Sequence, residues 1–314
     1  MKFMWRLRTA GVFLLMTLIL VAIGYLIGWI FGYGLLGITV MTGVSVLISL
    51  YSYFFSKESA LRANRVRLIT ESEEPRLYHI VQKVAKEAGL PMPEVGISPE
   101  PMPNAFATGR NPEHAAVVAT QGILSLLNDD ELEAVFGHEM SHVKNRDILV
   151  MSVASTVASV LTFAARMLFY SAAFGNSRDR ENNGLVAVVA LLTAVFVPIA
   201  ALLMQLAVSR NREFLADETG ARITGKPREL ASALRRLEAG CQSTGNRYAE
   251  ATYADMWISN PIRKRSLFAS LFSTHPSTEK RCERLEKLAV ELREGRVSAY
   301  RPDEDSSKSR LFFQ

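Results

Sequence analysis

Between Thr9 and Ser56 the chain has no charged residue and no histidine. The run is long enough for two membrane-crossing helices of about 20 residues each. Gly32, Gly34 and Gly37 lie near its middle and suit a tight turn, so the run reads as an antiparallel hairpin of spans. Lys2, Arg6 and Arg8 precede it, as in a secretory leader, but the apolar stretch far exceeds the about 7–15 residues of a leader core. A retained anchor over 9–56 is therefore expected.

Two more apolar runs follow. Ile148 to about Tyr170 carries a single charge, Arg166, and Gly184–Val208 carries none, with Pro198 as the expected kink. A buried helical hairpin in a water-soluble domain is the other reading of this pair. The length of the last run favours the membrane. In a four-span arrangement the basic residues beside the runs (Lys2, Arg6, Arg8; Lys57, Arg62, Arg65, Arg67; Lys144, Arg146; Arg210, Arg212) fall on one side, against Arg178 and Arg180 on the other. The positive-inside rule puts that side, with both termini, in the cytoplasm. The segments 57–147 and 209–295 then share one side and can form one water-facing domain around the second hairpin, 148–208. The tail 296–314 reads as solvated.

Composition narrows the function classes. The net charge of +5 is small, and the basic residues are dispersed or sit beside apolar runs, which argues against nucleic acid as a partner. Cys241 and Cys282 form no CxxC and cannot make a disulfide framework, so two unpaired thiols in a reducing compartment are expected. The lipid bilayer is one expected partner. The sequence sets no oligomeric state.

Chemistry is concentrated in residues 129–146, DDELEAVFGHEMSHVKNR. Leu132, Val135, Phe136 and Met140 recur at helical spacing behind an acidic start, which predicts a helix. On it His138 and His142 stand one turn apart on one face, where both imidazoles reach a single metal ion. Glu139, next to the first histidine, projects beside the metal and suits proton removal from a metal-activated water. Gly137 permits close approach by another element. Chance spacing on a surface helix is the bland alternative, and two of only five histidines around one glutamate argue against it. His79 and His114 are expected to be structural or solvated.

A catalytic zinc needs a third protein ligand. In 209–221, SRNREFLADETGA, Glu213 and Asp217 share a helical face. Glu213 is expected to be the ligand and Asp217 to hold the outer N–H of a ligating histidine. Alone, the pair reads as an exposed charged helix. Linked to the histidine motif, it reads as half of a metal site.

The hydrophobic opening, HEMSHVKNRD at 138–147, the two later apolar runs, SRNREFLAD at 209–217 and THPSTEKR at 274–281 together resemble the HtpX family of membrane zinc metalloproteases, relatives of the CAAX prenyl endopeptidases. The resemblance implies an α+β, mainly helical fold: four transmembrane helices plus a cytoplasmic zincin-like (gluzincin) peptidase domain with a small sheet. It implies one Zn2+ per chain on His138, His142 and Glu213, and Glu139 as base. It implies cleavage of damaged or misassembled membrane proteins, or other unfolded polypeptides, at the cytoplasmic face of a bacterial inner membrane. By the same resemblance PNAFATG at 103–109 is an edge strand on which Asn104, Ala105 and Phe106 meet substrate. His275 faces the oxyanion and Arg281 is a supporting ion-pair partner. A processing peptidase for lipidated or other specific membrane substrates is the competing enzyme reading. A non-catalytic zinc-binding membrane scaffold is a distant third, since a scaffold has no need of Glu139. Ser243–Trp257 shows no pattern.

Overall fold

The computed structural model describes residues 34–151, 153, 210–243 and 276–300, with a few positions between 11 and 25. The first span, most of the second hairpin, the segment 244–275 with His275, and the tail 301–314 lie outside the described residues. The chain divides into two compact units: Met1–Ser56 with Val150–Ala207, and Lys57–Leu149 with Val208–Gln314.

In the first unit, helix α1 (Gly34–Ala63) enters from Gly34 and continues into the second unit's sequence. Ile38–Ala63 is long and apolar enough to cross a membrane, and it is the one such helix among the described residues. Two expectations shift here. Gly37 lies inside the helix and not in a turn, and the helix does not stop where the apolar run stops at Ser56. Lys57, Glu58, Leu61 and Arg62 are good helix formers, so the helix runs on past the apolar stretch.

The second unit is mainly helical around a small mixed sheet. After β1 (Arg67–Leu68) comes the amphipathic helix α2 (Pro75–Ala88), which buries Leu77, Ile80, Val81 and Val84. It ends at Gly89, whose φ of 67° closes the last turn. Strands β2 (Glu94–Ser98), β3 (Ala105–Gly109) and β4 (Ala115–Thr120) follow. The sheet order is β1-β2-β4-β3, with β2 and β4 parallel and both outer pairs antiparallel, Ala105 opposite Ala119 and Gly109 opposite Ala115. β3 is therefore an edge strand. β4 is buried along its whole length, because both faces of the sheet are covered. On one face Phe106 and Val118 pack with Ala60; on the other, Ala105, Ala107, Val117 and Ala119 join the main core.

Short helix α3 (Gln121–Leu126) leads to α4 (Asp129–Lys144), followed after the second hairpin by α5 (Arg210–Thr224), α6 (Pro227–Ser243) and α7 (Thr278–Arg293). α4 is the central helix. Its start is set by a capping box: Asn128 Oδ1 accepts from the Glu131 N–H at 2.9 Å, and the Asn128 N–H donates to Glu131 Oε2 at 3.1 Å. From Glu131 to Val143 every residue is buried, so α4 presents its motif inside the domain.

Candidate metal centre

α4 and α5 approach backbone to backbone. A Cβ on Gly220 would lie 2.5 Å from His138 N, and one on Gly137 would lie 2.8 Å from Gly220 O. Only glycine fits at this crossing, and the crossing sets how far Glu213 on α5 stands from the histidines of α4. Glu213 is two turns before Gly220, on the same face.

The three side chains converge. His138 Nε2 and His142 Nε2 are 3.2 Å apart; Glu213 Oε1 is 3.4 Å from His142 Nε2, and Glu213 Oε2 is 3.8 Å from His138 Nε2. One ligand atom from each lies within 4.8 Å of the others, and all three residues are buried. The opposite nitrogens are occupied. His138 Nδ1 is 2.9 Å from Asp217 Oδ1, and His142 Nδ1 is 3.5 Å from Asp147 Oδ2. A ring that donates through Nδ1 turns an Nε2 lone pair toward its neighbours. Three acceptors this close, away from water, repel one another unless a cation lies among them.

Asp217 is anchored in turn. Arg281 on α7, itself buried, donates from Nε and Nη2 to the two carboxylate oxygens at 2.8 and 2.6 Å. Burial opposes charge on both, but the mutual attraction dominates. It holds the Asp217 carboxyl below its ordinary value and the Arg281 guanidinium above. His138 is pushed down, chiefly by burial, and stays neutral. Burial works the same way on His142, yet the Asp147 and Glu213 carboxylates carry its imidazole up to about 10 in the metal-free chain. Burial also pushes Glu139 up to about 8, with the neighbouring Glu213 charge adding and His142 opposing. The Glu139 carboxylate accepts a hydrogen bond from the Ala107 N–H, so the free edge of β3 faces it.

The other predicted residues fall as follows. Asn104 is buried at the head of β3, its main chain tied to Thr120 on both sides: N–H to Oγ1 at 2.8 Å, and C=O from the Thr120 N–H at 2.9 Å. Ala105 lies on the helix-facing side of the sheet. The Phe106 ring packs on the opposite face with Ala60 and Val118, and by strand alternation its main chain faces β4. His275 lies outside the described residues. His79 and His114 are exposed and bonded to Glu71 and Asn111, each at 2.8 Å.

Three contributors were not anticipated from sequence: Asp147, Arg212 and Gly220. Arg212 Nη1 donates to Asp147 Oδ1 at 2.8 Å. Gly220, seven residues after Glu213, was legible as a small residue on the ligand's helical face. Asp147 had no periodic signal, because it lies beyond the helix end.

Two histidines one helical turn apart, an intervening glutamate and a carboxylate from a second helix define a metallopeptidase of the HExxH class. The model of Peptidase family M48 matches residues 71–289, and the chain belongs to that family. It is 46% identical over 286 residues to the Protease HtpX homolog of Pyrococcus abyssi, covering 91% of this chain and 96% of the relative. Over 290 residues it is 47% identical to the Protease HtpX homolog of Thermococcus kodakarensis, covering 92% and 97%. The Protease HtpX homolog of Nostoc sp. PCC 7120 is 45% identical over 287 residues, with 91% and 97% covered. The crystal structure of S. mikatae Ste24p aligns with a TM-score of 0.48 at 17% identity; the match covers 91% of this chain and 66% of that one. The protein is thus a metalloprotease of the HtpX-like M48 kind.

Proposed function

We propose that this chain is a membrane-embedded zinc metalloendopeptidase that cleaves damaged or misfolded membrane proteins at the cytoplasmic face of a cell membrane, anchored by four spans. The convergence of His138, His142 and Glu213 carries the reading. The fit to zinc rests on the donor set and its spacing. Two imidazoles and a carboxylate leave a fourth position open, and nitrogens on a tetrahedral zinc with Zn–N of about 2.0–2.1 Å stand roughly 3.3 Å apart, against 3.2 Å here. Bound zinc supplies Lewis acidity, making water nucleophilic near neutral pH and polarising the scissile carbonyl.

The chain's own groups do the rest. Asp217, clamped by Arg281, fixes the tautomer and direction of His138. Glu139 accepts a proton from the attacking water and returns it to the leaving amine. A carboxyl already raised by its buried site suits both halves of that task. An extended substrate adds to the edge of β3, taking over the outward-pointing Ala107 N–H from the Glu139 carboxylate. Strand alternation gives the Ala105 main chain the same outward direction. Asn104 supports the head of that edge, and His275 serves the developing oxyanion.

The membrane part of the reading rests on the span-length helix Ile38–Ala63 and on the apolar runs of the sequence. His142 lies only six residues before the apolar run that begins at Ile148, so the site sits close to the bilayer surface. Segments that slip from the bilayer are then within reach. The decisive comparison is wild type against Glu139→Gln, both purified in detergent. Equal zinc content with casein cleavage lost in the variant supports the reading; equal cleavage by both removes Glu139 from the mechanism.

A further inference from the structure

The two candidate ligand histidines are supported by unlike partners, and only one of them was foreseeable. His138 leans on Asp217, four residues after Glu213 on the same helix. His142 leans on Asp147, which helical spacing does not predict. At about 100° per residue a continued helix would carry residue 147 roughly 140° around the axis from His142. The chain avoids this by ending α4 at Lys144 and placing Arg146 in the left-handed region, φ 58°. This is a sparsely populated conformation for any residue with a Cβ, and it costs on the order of 1 kcal/mol. The turn brings Asp147 back under the imidazole. There Oδ2 lies 3.5 Å from His142 Nδ1, while Oδ1 accepts from Arg212 Nη1 at 2.8 Å. Arg212 immediately precedes Glu213. The pair therefore ties the end of one ligand helix to the start of the other. Asp147 is buried and the Arg212 side chain is mostly so, so neither contact is a screened surface pair.

We propose that Asp147 is a positioning residue for the metal site: gripped by Arg212 and aimed by the left-handed turn at Arg146, it holds His142 with Nε2 toward the metal. The proposal deepens the zinc peptidase reading and rests on it. By its geometry Asp147 does for His142 what Asp217 does for His138, through a longer and singly anchored contact in place of a short bidentate one. Its loss weakens metal binding without touching the reacting atoms.

The test uses full-length protein in detergent, stripped of metal, refilled with Zn2+ and titrated against a competing chelator. Asp147→Ala is expected to weaken zinc binding about 10- to 100-fold. Asp147→Asn, whose amide oxygen still accepts from Nδ1, loses less. Arg146→Gly keeps wild-type affinity because glycine adopts the left-handed region freely, whereas Arg146→Val, which resists it, loses affinity like Asp147→Ala. With zinc saturating, the KM for casein is unchanged in all variants. Co2+ in place of zinc gives an absorption spectrum that differs from wild type in Asp147→Ala, a signature that a purely structural role would not move. If Asp147→Ala does not fold, Asp147→Asn and the Arg146 pair decide the matter. Wild-type zinc affinity and an unchanged Co2+ spectrum in Asp147→Asn and Arg146→Val overturn the proposal. Zinc uptake by wild type without casein cleavage sinks the peptidase reading alone. Failure of wild type to take up zinc sinks both.

Discussion

The two ends of helix Asp129–Lys144 both carry charge, and they handle it in opposite ways. At the N-terminal end Asp129, Asp130 and Glu131 complement the helix dipole and face cations at or near the surface. Arg76 reaches Asp129 at 2.6 Å, Lys226 reaches Asp130 at 2.5 Å, and Arg236 reaches Glu131 at 2.5 Å. Asp129 and Asp130 are well exposed. Toward the C-terminal end His138, Glu139, His142 and, just past the helix, Asp147 are buried and face one another's buried partners, while Lys144 and Arg146 are partly exposed. Water screens the Asp129 and Asp130 pairs, whereas Glu131 is itself buried, and water is excluded from the second set. The same kind of contact is therefore nearly dispensable at one end and decisive at the other.

The largest effect belongs to the buried end. Replacing Glu139 by Gln removes the proton carrier while keeping the volume, and cleavage is expected to fall about 10²- to 10⁴-fold. Thermal stability should hold or rise, because a buried carboxyl is lost. A casein assay beside a melting curve checks both; a fall in stability matching the fall in activity would mean that Glu139 is structural.

Arg281→Met comes next. It leaves the Asp217 carboxylate buried without its bidentate partner, and breaking such a pair costs about 3–5 kcal/mol. Chemical denaturation of the metal-free protein measures this. Pairing it with Asp217→Leu sharpens the comparison. The double variant should regain most of the stability, since an apolar pair replaces an ionic one, yet still bind zinc more weakly because His138 has lost its anchor. Zinc affinity recovering along with stability would show the ion pair to be structural only.

pH separates the ends as well. His142 in the metal-free chain titrates near 10, above its ordinary 6.5. Its contribution to stability is full below about 6.5 and fades as pH rises toward 10. Glu139, raised from 4.5 to about 8, acts in the same sense, because charge is forced into the buried site as pH climbs through that interval. Metal binding requires the His142 proton to leave, so affinity should rise about tenfold per pH unit between 6 and 8. His138 is pushed the other way, below its ordinary value, chiefly by burial, so it contributes less to this proton release. A calorimetric proton count near one per zinc agrees; a count near zero removes His142 as a protonated ligand.

Gly220→Ala probes the crossing that brings the ends of the site together. The added methyl meets the His138 backbone at 2.5 Å, and overpacking of this kind costs about 1–3 kcal/mol. Helix propensity alone predicts a gain, since alanine is the better helix former. A stabilised variant with full zinc affinity would show that α4 and α5 do not touch at this glycine.

These residues also show how far the sequence could be read. His138, Glu139, His142, Glu213 and Asp217 all obey helical spacing, a local rule, and the fold brings their side chains together. Arg281 came from resemblance to known proteases; its clamp on Asp217 depends on how α7 packs, which no local pattern encodes. Asp147 escaped because a left-handed residue resets the period between it and His142. Phe106 was expected to line the edge, but strand alternation turns its ring to the far face, and facing depends on which side the helices cover. The order β1-β2-β4-β3 likewise follows from long-range pairing.

The smallest effect belongs to the exposed end. Arg76 bonds Asp129 and, at 3.2–3.3 Å, the Leu124 and Leu127 carbonyls that precede the helix. Both charged groups are open to water, so Arg76→Ala should lower stability by no more than about 1 kcal/mol. The part owed to the ion pair should vanish in high salt, where the Debye length falls to about 3 Å. Zinc affinity should not change. Melting curves at low and high salt, with a chelator titration on the same samples, check each point. If Arg76→Ala weakened zinc binding, the surface network would be transmitting its state along the helix, and the two ends would have to be treated as one device.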